Sequence, residues 1–253
     1  MNPILVPLRN GRDLTIAAHR TFIAQDVGDI EILYIDNAST DGTREWLQSL
    51  SVHCIHNLVP MGVSRSWNVG LNWWFSQGAE HVLVCNNDVL LRPDTYRWLL
   101  KAGGLFVTAV GNNDPDCVKP PWNPPDLDKI RYNPDYSCYL IHREAYERMG
   151  GFDEKFKGAY AEDADSHLRL HRAGVDAFCI QLPFYHVGAA TLKNATDEER
   201  QLILEQADAN RVLFKEKHGV AVGTPEYYAL FGDKGQNPDN KFGATPPDNN
   251  SAR

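Results

Sequence analysis

The chain predicts an α/β fold with a mostly parallel central sheet flanked by helices. Three observations carry this expectation. Short apolar runs alternate with amphipathic stretches through the first half. Polar turn clusters follow directly on two of those runs, at residues 36–43 and 86–88. The 253 residues are 43% hydrophobic and 10% aromatic, enough to fill a substantial core.

Taken in order, residues 4–8 (ILVPL) read as the first strand, and residues 13–25 as a helix with Leu14, Ala17, Ala18, Thr21 and Phe22 at helical spacing. Residues 31–35 (EILYI) are the second strand. A cluster rich in Asp, Asn, Ser and Thr follows, and Ser39, Thr40 or Asp41 is placed to cap a helix ending near Leu50. Residues 51–55 are a weaker strand. Residues 63–77 form a helix with Trp67, Leu71 and Trp74 on one side. Residues 81–85 (HVLVC) are a strand that stops at Asn86-Asn87-Asp88, and Pro93 suits the first position of the next helix. Beyond residue 110 the pattern loosens. Residues 114–134 are rich in Pro, Asp and Asn and read as a loop. Residues 136–142 are a strand, 143–149 a short helix ended by Gly150-Gly151, 162–173 a helix with Gly174 past its end, 177–182 a strand leading into Tyr185-His186, and 197–218 a long helix. Residues 1–231 are read as one domain with halves 1–110 and 111–231, and residues 232–253 as a disordered tail.

Composition narrows the function. The 33 acidic residues outnumber 25 Lys and Arg, for a formal charge of −8. That balance disfavours a protein that holds nucleic acid through its overall field. No apolar run reaches transmembrane length, and residues 1–14 do not read as a signal peptide. Five widely spaced cysteines without a CxxC fit a reducing compartment, so a cytoplasmic location, with peripheral contact to a membrane open, is expected. GxGxxG, GxxxxGK[ST], GxSxG and HExxH are all absent.

Three acidic clusters and one histidine carry the chemistry. Asn86-Asn87-Asp88 puts a carboxylate and two amides just past a buried strand, where ligands of open parallel sheets bind. Such oxygen donors suit Mg²⁺ or Mn²⁺ completed by substrate phosphates; the plain alternative is a turn, which Asn and Asp also favour. Asp36 ends another strand, where an acid can accept a bond from a base N–H or a ribose hydroxyl; a polar, capped turn explains it equally well. Ala161-Glu162-Asp163-Ala164-Asp165 crowds three acids at a helix start, more than the helix dipole requires, and offers a general base with neighbours to orient a hydroxyl. His186 follows a strand and becomes a metal-ligand candidate only beside an acid.

In order and spacing these pieces resemble the family 2 glycosyltransferases of the GT-A fold. The resemblance runs from Ile4-Leu5-Val6-Pro7 and Asn10 through residues 35–43 (IDNASTDGT) and 62–68. It continues at Asn86-Asn87-Asp88, in the place of the family's DxD motif, then residues 150–154 (GGFDE), 160–165 (YAEDAD), Leu168-Arg169 and Ala173-Gly174, covering roughly residues 3–190. It implies an inverting transfer of a sugar from a UDP-, GDP- or dTDP-sugar to an acceptor hydroxyl, with Mn²⁺ or Mg²⁺ as cofactor. It implies Asp163 as general base, Asp88 and His186 as metal ligands, and Glu162 and Asp165 at the acceptor. It implies a nucleotide-sugar site made by Pro7, Leu8, Arg9, Asn10, Asp36, Asn37, Gly62, Ser64, Asn68, Asn86 and Asn87. Trp122 in the 114–134 loop is a candidate for stacking on an acceptor sugar. A glycan or lipid-linked sugar is the expected acceptor, with DNA disfavoured by the negative charge. Two departures stand out: Asn replaces the expected Asp at the first two positions of the metal triplet, and Arg9 stands where an aromatic often stacks on the base. The rival readings are a sugar-phosphate nucleotidyltransferase, which would want a longer basic Gly-rich loop than Asn10-Gly11-Arg12, and a degenerate nucleotide-sugar-binding module.

Overall fold

A computed structural model describes residues 1–188 and 195–236. Its strands are β1 (Asn2–Leu8), β2 (Ile30–Asp36), β3 (His53–His56), β4 (His81–Cys85), β5 (Val89–Leu90), β6 (Phe106–Asn112), β7 (Ile130–Arg131), β8 (Cys138–His142) and β9 (Ala177–His186). Its helices are α1 (Arg12–Ile23), α2 (Thr43–Gln48), α3 (Val63–Ser76), α4 (Thr95–Lys101), α5 (Arg143–Met149), α6 (Glu162–Arg172), α7 (Asp197–His218), α8 (Pro225–Ala229) and α9 (Asp233–Gln236).

The strands make one sheet in the order β3-β2-β1-β4-β8-β6-β9-β5, with β7 also on β9. The pairs β3–β2, β2–β1, β1–β4 and β6–β9 are parallel, while β8 runs antiparallel to both β4 and β6. The carboxyl ends of β1, β2, β4, β6 and β9 therefore share one edge with the start of β8.

Strand alternation divides the core between two faces. Ile4, Val6 and Leu8 of β1 face one cluster with Phe22 of α1 and Tyr96 and Leu99 of α4. Leu5 faces the other with Leu33, Trp67, Leu71, Trp74 and Tyr139. The buried residues Trp67, Gly70, Leu71, Trp74 and Phe75 give α3 one continuous apolar stripe against the sheet. A smaller cluster joins Ala164 and Leu168 of α6 to Phe214 of α7 and to Tyr227 and Phe231. It docks the carboxyl-terminal helices on α6.

Three elements differ from the sequence reading. β6 occupies a stretch to which no element had been assigned, and it is central to the sheet. Within the mostly parallel sheet, β8 runs against β4 and β6, and the short β5 and β7 run against β9, pairings that strand–helix alternation does not announce. Residues 233–236 form a short helix, where disorder had been expected from 232 onward; Phe231 is buried and stacks on His167, and Lys234 pairs with Asp176. Residues 237–253 lie outside the described residues.

Candidate active site

The shared strand edge gathers the chemistry. Asp88, just past β4, and His186, the last residue of β9, come together because β5 pairs antiparallel with β9, setting Val89 opposite His186. The backbone N–H of Val187 also donates to the carbonyl of Asp88 at 3.1 Å. His186 Nε2 lies 3.2 Å from Asp88 Oδ1. His186 also lines a cleft of about 420 Å³, with residues 111–113, Asp135, Val187 and Gly188.

Asp135 was missed in the sequence because it falls between the Pro- and Asn-rich stretch 114–134 and the strand expected from residue 136. It holds the cleft wall. Its Oδ2 accepts from the Gly111 N–H and its Oδ1 from the Ser137 N–H, both at 2.9 Å, and its own N–H donates to Thr108 Oγ1. The available signal was Asp-x-Ser before an apolar strand, an Asx-turn pattern.

Asp163 stands in the first turn of α6, whose amino end faces the same edge because α6 returns antiparallel into β9. Burial raises its carboxyl above the ordinary carboxylate range and the charge of Asp135 adds to this, against a bond from the Ala164 N–H. The turn is strained: Tyr160 and Ala161 have φ of 79° and 68°, left-handed values at two successive side-chain-bearing residues, costing about 1–3 kcal/mol each. Glu162 is buried at 8% exposure, and its Oε2 has no protein hydrogen-bond partner.

Several residues assigned to ligand contact hold the protein together instead. Asp36 is fully buried. Its Oδ1 accepts from the Ser39 N–H, and its Oδ2 takes Arg44 Nε at 3.0 Å and His56 Nδ1 at 2.9 Å. Burial alone would raise its carboxyl, but these bonds hold it below the usual range. Asp165, expected at the acceptor, is a clamp: its Oδ1 lies 2.6 Å from Lys217 Nζ and 2.8 Å from His218 Nε2, and its Oδ2 is 3.5 Å from Arg169. It is fully buried and faces α7.

The amides behave alike. Asn68 bonds the backbone of Phe152 in both directions and also takes Tyr146 Oη, which fixes the Gly150–Gly151 segment on α3. Asn37 spans Ser66, Asn57 and Met61. Asn87 donates to the Asn10 carbonyl and to Thr15, while Asn10 Oδ1 accepts from the Thr40 N–H. These side chains stitch the loops of the edge together rather than point into it. Pro7 and Leu8 are buried strand residues. Gly62, at φ 78°, lets its loop approach Gly158, whose N would lie 3.2 Å from an added Cβ. Ser64 is fully buried. Asn86 ties β4 to β8 by its N–H to the Ser137 carbonyl. Arg9 reaches Glu199 of α7 at 3.1 Å, and its Nε has no protein partner. Trp122 is 39% exposed and bonds locally to the Val118 carbonyl.

Residues 4–104 match the model of the glycosyl transferase family 2. Over that segment the chain resembles the family 2 glycosyltransferases. The matched stretch runs from β1 through α4 and contains Asp88, while Asp163 and His186 lie beyond it. An N-acetylglucosaminyl-diphospho-decaprenol L-rhamnosyltransferase of Mycobacterium tuberculosis is 26% identical over 193 residues, 57% of this chain and 62% of that protein. The chain thus spans under two thirds of that relative's length.

Two solved structures share its fold, which is GT-A. Residues 1–349 of TarS from S. aureus, in complex with UDP, superpose with a TM-score of 0.54 at 16% identity, covering 92% of this chain and 80% of that one. The mannosyltransferase PcManGT from Pyrobaculum calidifontis, in complex with GDP-Man and Mn²⁺, gives 0.53 at 18% identity, covering 90% and 77%.

Among the described residues no three His, Cys, Asp or Glu side chains converge on a cation site. A carboxylate and an imidazole 3.2 Å apart still fit a divalent ion that takes most of its ligands from substrate phosphates and water. No described helix is long and apolar enough to cross a membrane.

Proposed function

We propose that this protein transfers a sugar from a nucleoside-diphosphate sugar to an acceptor hydroxyl with inversion, Asp163 serving as the base. The observation that carries this reading is the arrangement of the shared edge. The Asp88–His186 pair and Asp163 lie there on separate elements, and Asp135 links them by lining the cleft with His186 while its charge acts on Asp163. The family match and the donor complexes of the two fold neighbours support it.

Asp88 and His186 are the residues that would hold Mg²⁺ or Mn²⁺. When bound, that ion neutralises charge arriving on the departing diphosphate. Asp163 accepts the proton of the acceptor hydroxyl, and the freed oxygen forms its bond to the anomeric carbon. The bond from that carbon to the diphosphate oxygen breaks, and the nucleoside diphosphate leaves with the electron pair. A carboxyl raised above its ordinary value suits a base that must take a proton from a weak acid and stay ionised near neutrality. One displacement needs no nucleophile on the protein and inverts the centre.

A lipid-linked sugar is the acceptor class we favour, since the rhamnosyltransferase relative is named for one. The protein is proposed to work in the cytoplasm, meeting such an acceptor at a membrane surface.

The test is nucleoside diphosphate release from a panel of UDP-, GDP- and dTDP-sugars with glycan and lipid-diphosphate-sugar acceptors. Asp163→Asn is expected to lower turnover by about 10²–10⁴-fold while donor affinity stays within about twofold. Wild-type turnover in that variant would remove Asp163 from the role of base. Pyrophosphate as the product would favour a nucleotidyltransferase.

A further inference from the structure

We propose that Glu162 works with its proton in place, as a neutral positioning residue for the first turn of α6, and neither as a second base nor as an anionic contact to the acceptor. The catalytic half of this proposal rests on the transferase reading; the electrostatic half stands without it.

Buried Oε2 of Glu162 has no protein partner, and neither do three hydrogen-bonding groups that wall the same region: Trp67 Nε1 of α3, Tyr136 Oη before β8 and Tyr139 Oη on β8. Their rings pack together, with centroids 6.0 Å apart for Trp67–Tyr136, 5.8 Å for Trp67–Tyr139 and 5.3 Å for Tyr136–Tyr139. Tyr139 feels the charge of Glu162, and Tyr160, just before the helix, feels it as well.

The charged neighbour acting on Glu162 itself is Asp163, of the same sign. Cations nearby serve other groups: Arg211 of α7 acts on Tyr160, and Arg169 acts on Tyr136 and bonds the Gly151 carbonyl. Asp135 and Tyr227 bear on Asp163. An ionised Glu162 would therefore be a buried charge without a counter-ion, beside a second carboxylate. Burial, then Asp163, pushes its carboxyl well above the ordinary range.

A neutral carboxyl is suited to this buried site, because it needs no counter-ion and leaves no uncompensated charge beside Asp163. Keeping the proton on Glu162 leaves Asp163 as the one ionised carboxylate in the first turn of α6 that Lys217, His218 and Arg169 do not neutralise, since those three serve Asp165. It also places a rigid anchor directly after the strained Tyr160–Ala161 pair.

The test is Glu162→Gln, which keeps shape and neutrality. Thermal unfolding of both proteins is followed without substrate from about pH 4 to about pH 8. A carboxyl whose folded value lies above its unfolded one contributes stability that is fully present below the unfolded value and lost as pH rises through the folded value. Wild type is therefore expected to fall behind the variant as pH rises, with the gap reaching several degrees. A gap that does not change with pH overturns the proposal.

Turnover is the second reading. Glu162→Gln is expected to keep kcat within about threefold, and Glu162→Ala to lower kcat by about tenfold or more with donor KM near wild type. A Gln variant as impaired as Asp163→Asn overturns the proposal. If wild type turns over no acceptor, the transferase reading fails and the melting curves alone decide the charge on Glu162.

Discussion

Asp165 shows how one residue type serves two purposes at this edge. It sits two positions from Asp163, carries the same carboxylate, and is consumed by Lys217, His218 and Arg169. Asp165→Asn removes the charge and leaves Lys217 to Asp153 alone, at 2.7 Å. Breaking a buried ionic contact from one side costs about 3–5 kcal/mol, so denaturant unfolding should show a lowered midpoint of about that cost with unchanged slope. A midpoint equal to wild type would mean the clamp is not what docks α7 on α6. At this scale the sequence was half legible. Asp88, His186 and Asp163 were singled out by their place in the family 2 glycosyltransferase resemblance, since a turn or a helix start also accounts for such residue types. Asp36, Asn37, Asn68 and Asp165 could not be separated from them. The hydrogen-bonding capacity that recognises a ribose also satisfies backbone groups where loops leave a sheet, and only the fold shows which partner is nearer.

Helices and strands were more legible than side-chain roles, with instructive gaps. Amphipathic periodicity placed α1, α3, α6 and α7 within a few residues. β6 escaped because its run of apolar and β-branched residues, Phe106 to Val110, adjoins the Pro- and Asn-rich loop; its partners β8 and β9 lie far along the chain, so no local signal announces the pairing. The packing of α3 makes a prediction of its own. An added Cβ on Gly70 would lie 2.1 Å from Leu5 Cδ1 and 2.7 Å from its Cδ2, and Leu5 is fully buried. Gly70→Ala gains about 1 kcal/mol of helix propensity, yet overpacking a filled core costs about 1–3 kcal/mol, so a lower melting temperature is expected. A variant that melts above wild type would show that α3 can lift from β1 without loss.

The whole molecule joins an amino-terminal half, whose strands β3, β2, β1 and β4 are parallel, to a second half entered through the reversed β8. That division sets up a measurement on the intact protein. Native-state ligands raise the melting temperature in proportion to the logarithm of concentration over dissociation constant. A nucleoside diphosphate with Mn²⁺ is expected to stabilise wild type by about 2–3 kcal/mol over the ligand-free protein at a hundredfold excess over the dissociation constant, and by more than the same concentration of nucleotide alone. Asp88→Ala should lose the metal-dependent part and keep the rest. Equal shifts with and without metal in both proteins would move the cation away from Asp88.

One consequence of the Asp88–His186 contact concerns synthesis rather than catalysis. Residue 88 leaves the ribosome long before residue 186, and the parallel half that precedes it has strands, helices and hydrophobic neighbours of its own. Domains generally gain structure from the amino end as they are made, and contacts between sequence-distant residues close last because their loop entropy must be overcome first. The two groups proposed to hold the cation therefore meet only when β9 seals the sheet against β5 and β6. Any nascent chain or truncated product that stops short of β9 lacks both the imidazole and the final seam, so this architecture keeps unfinished copies of the protein chemically silent.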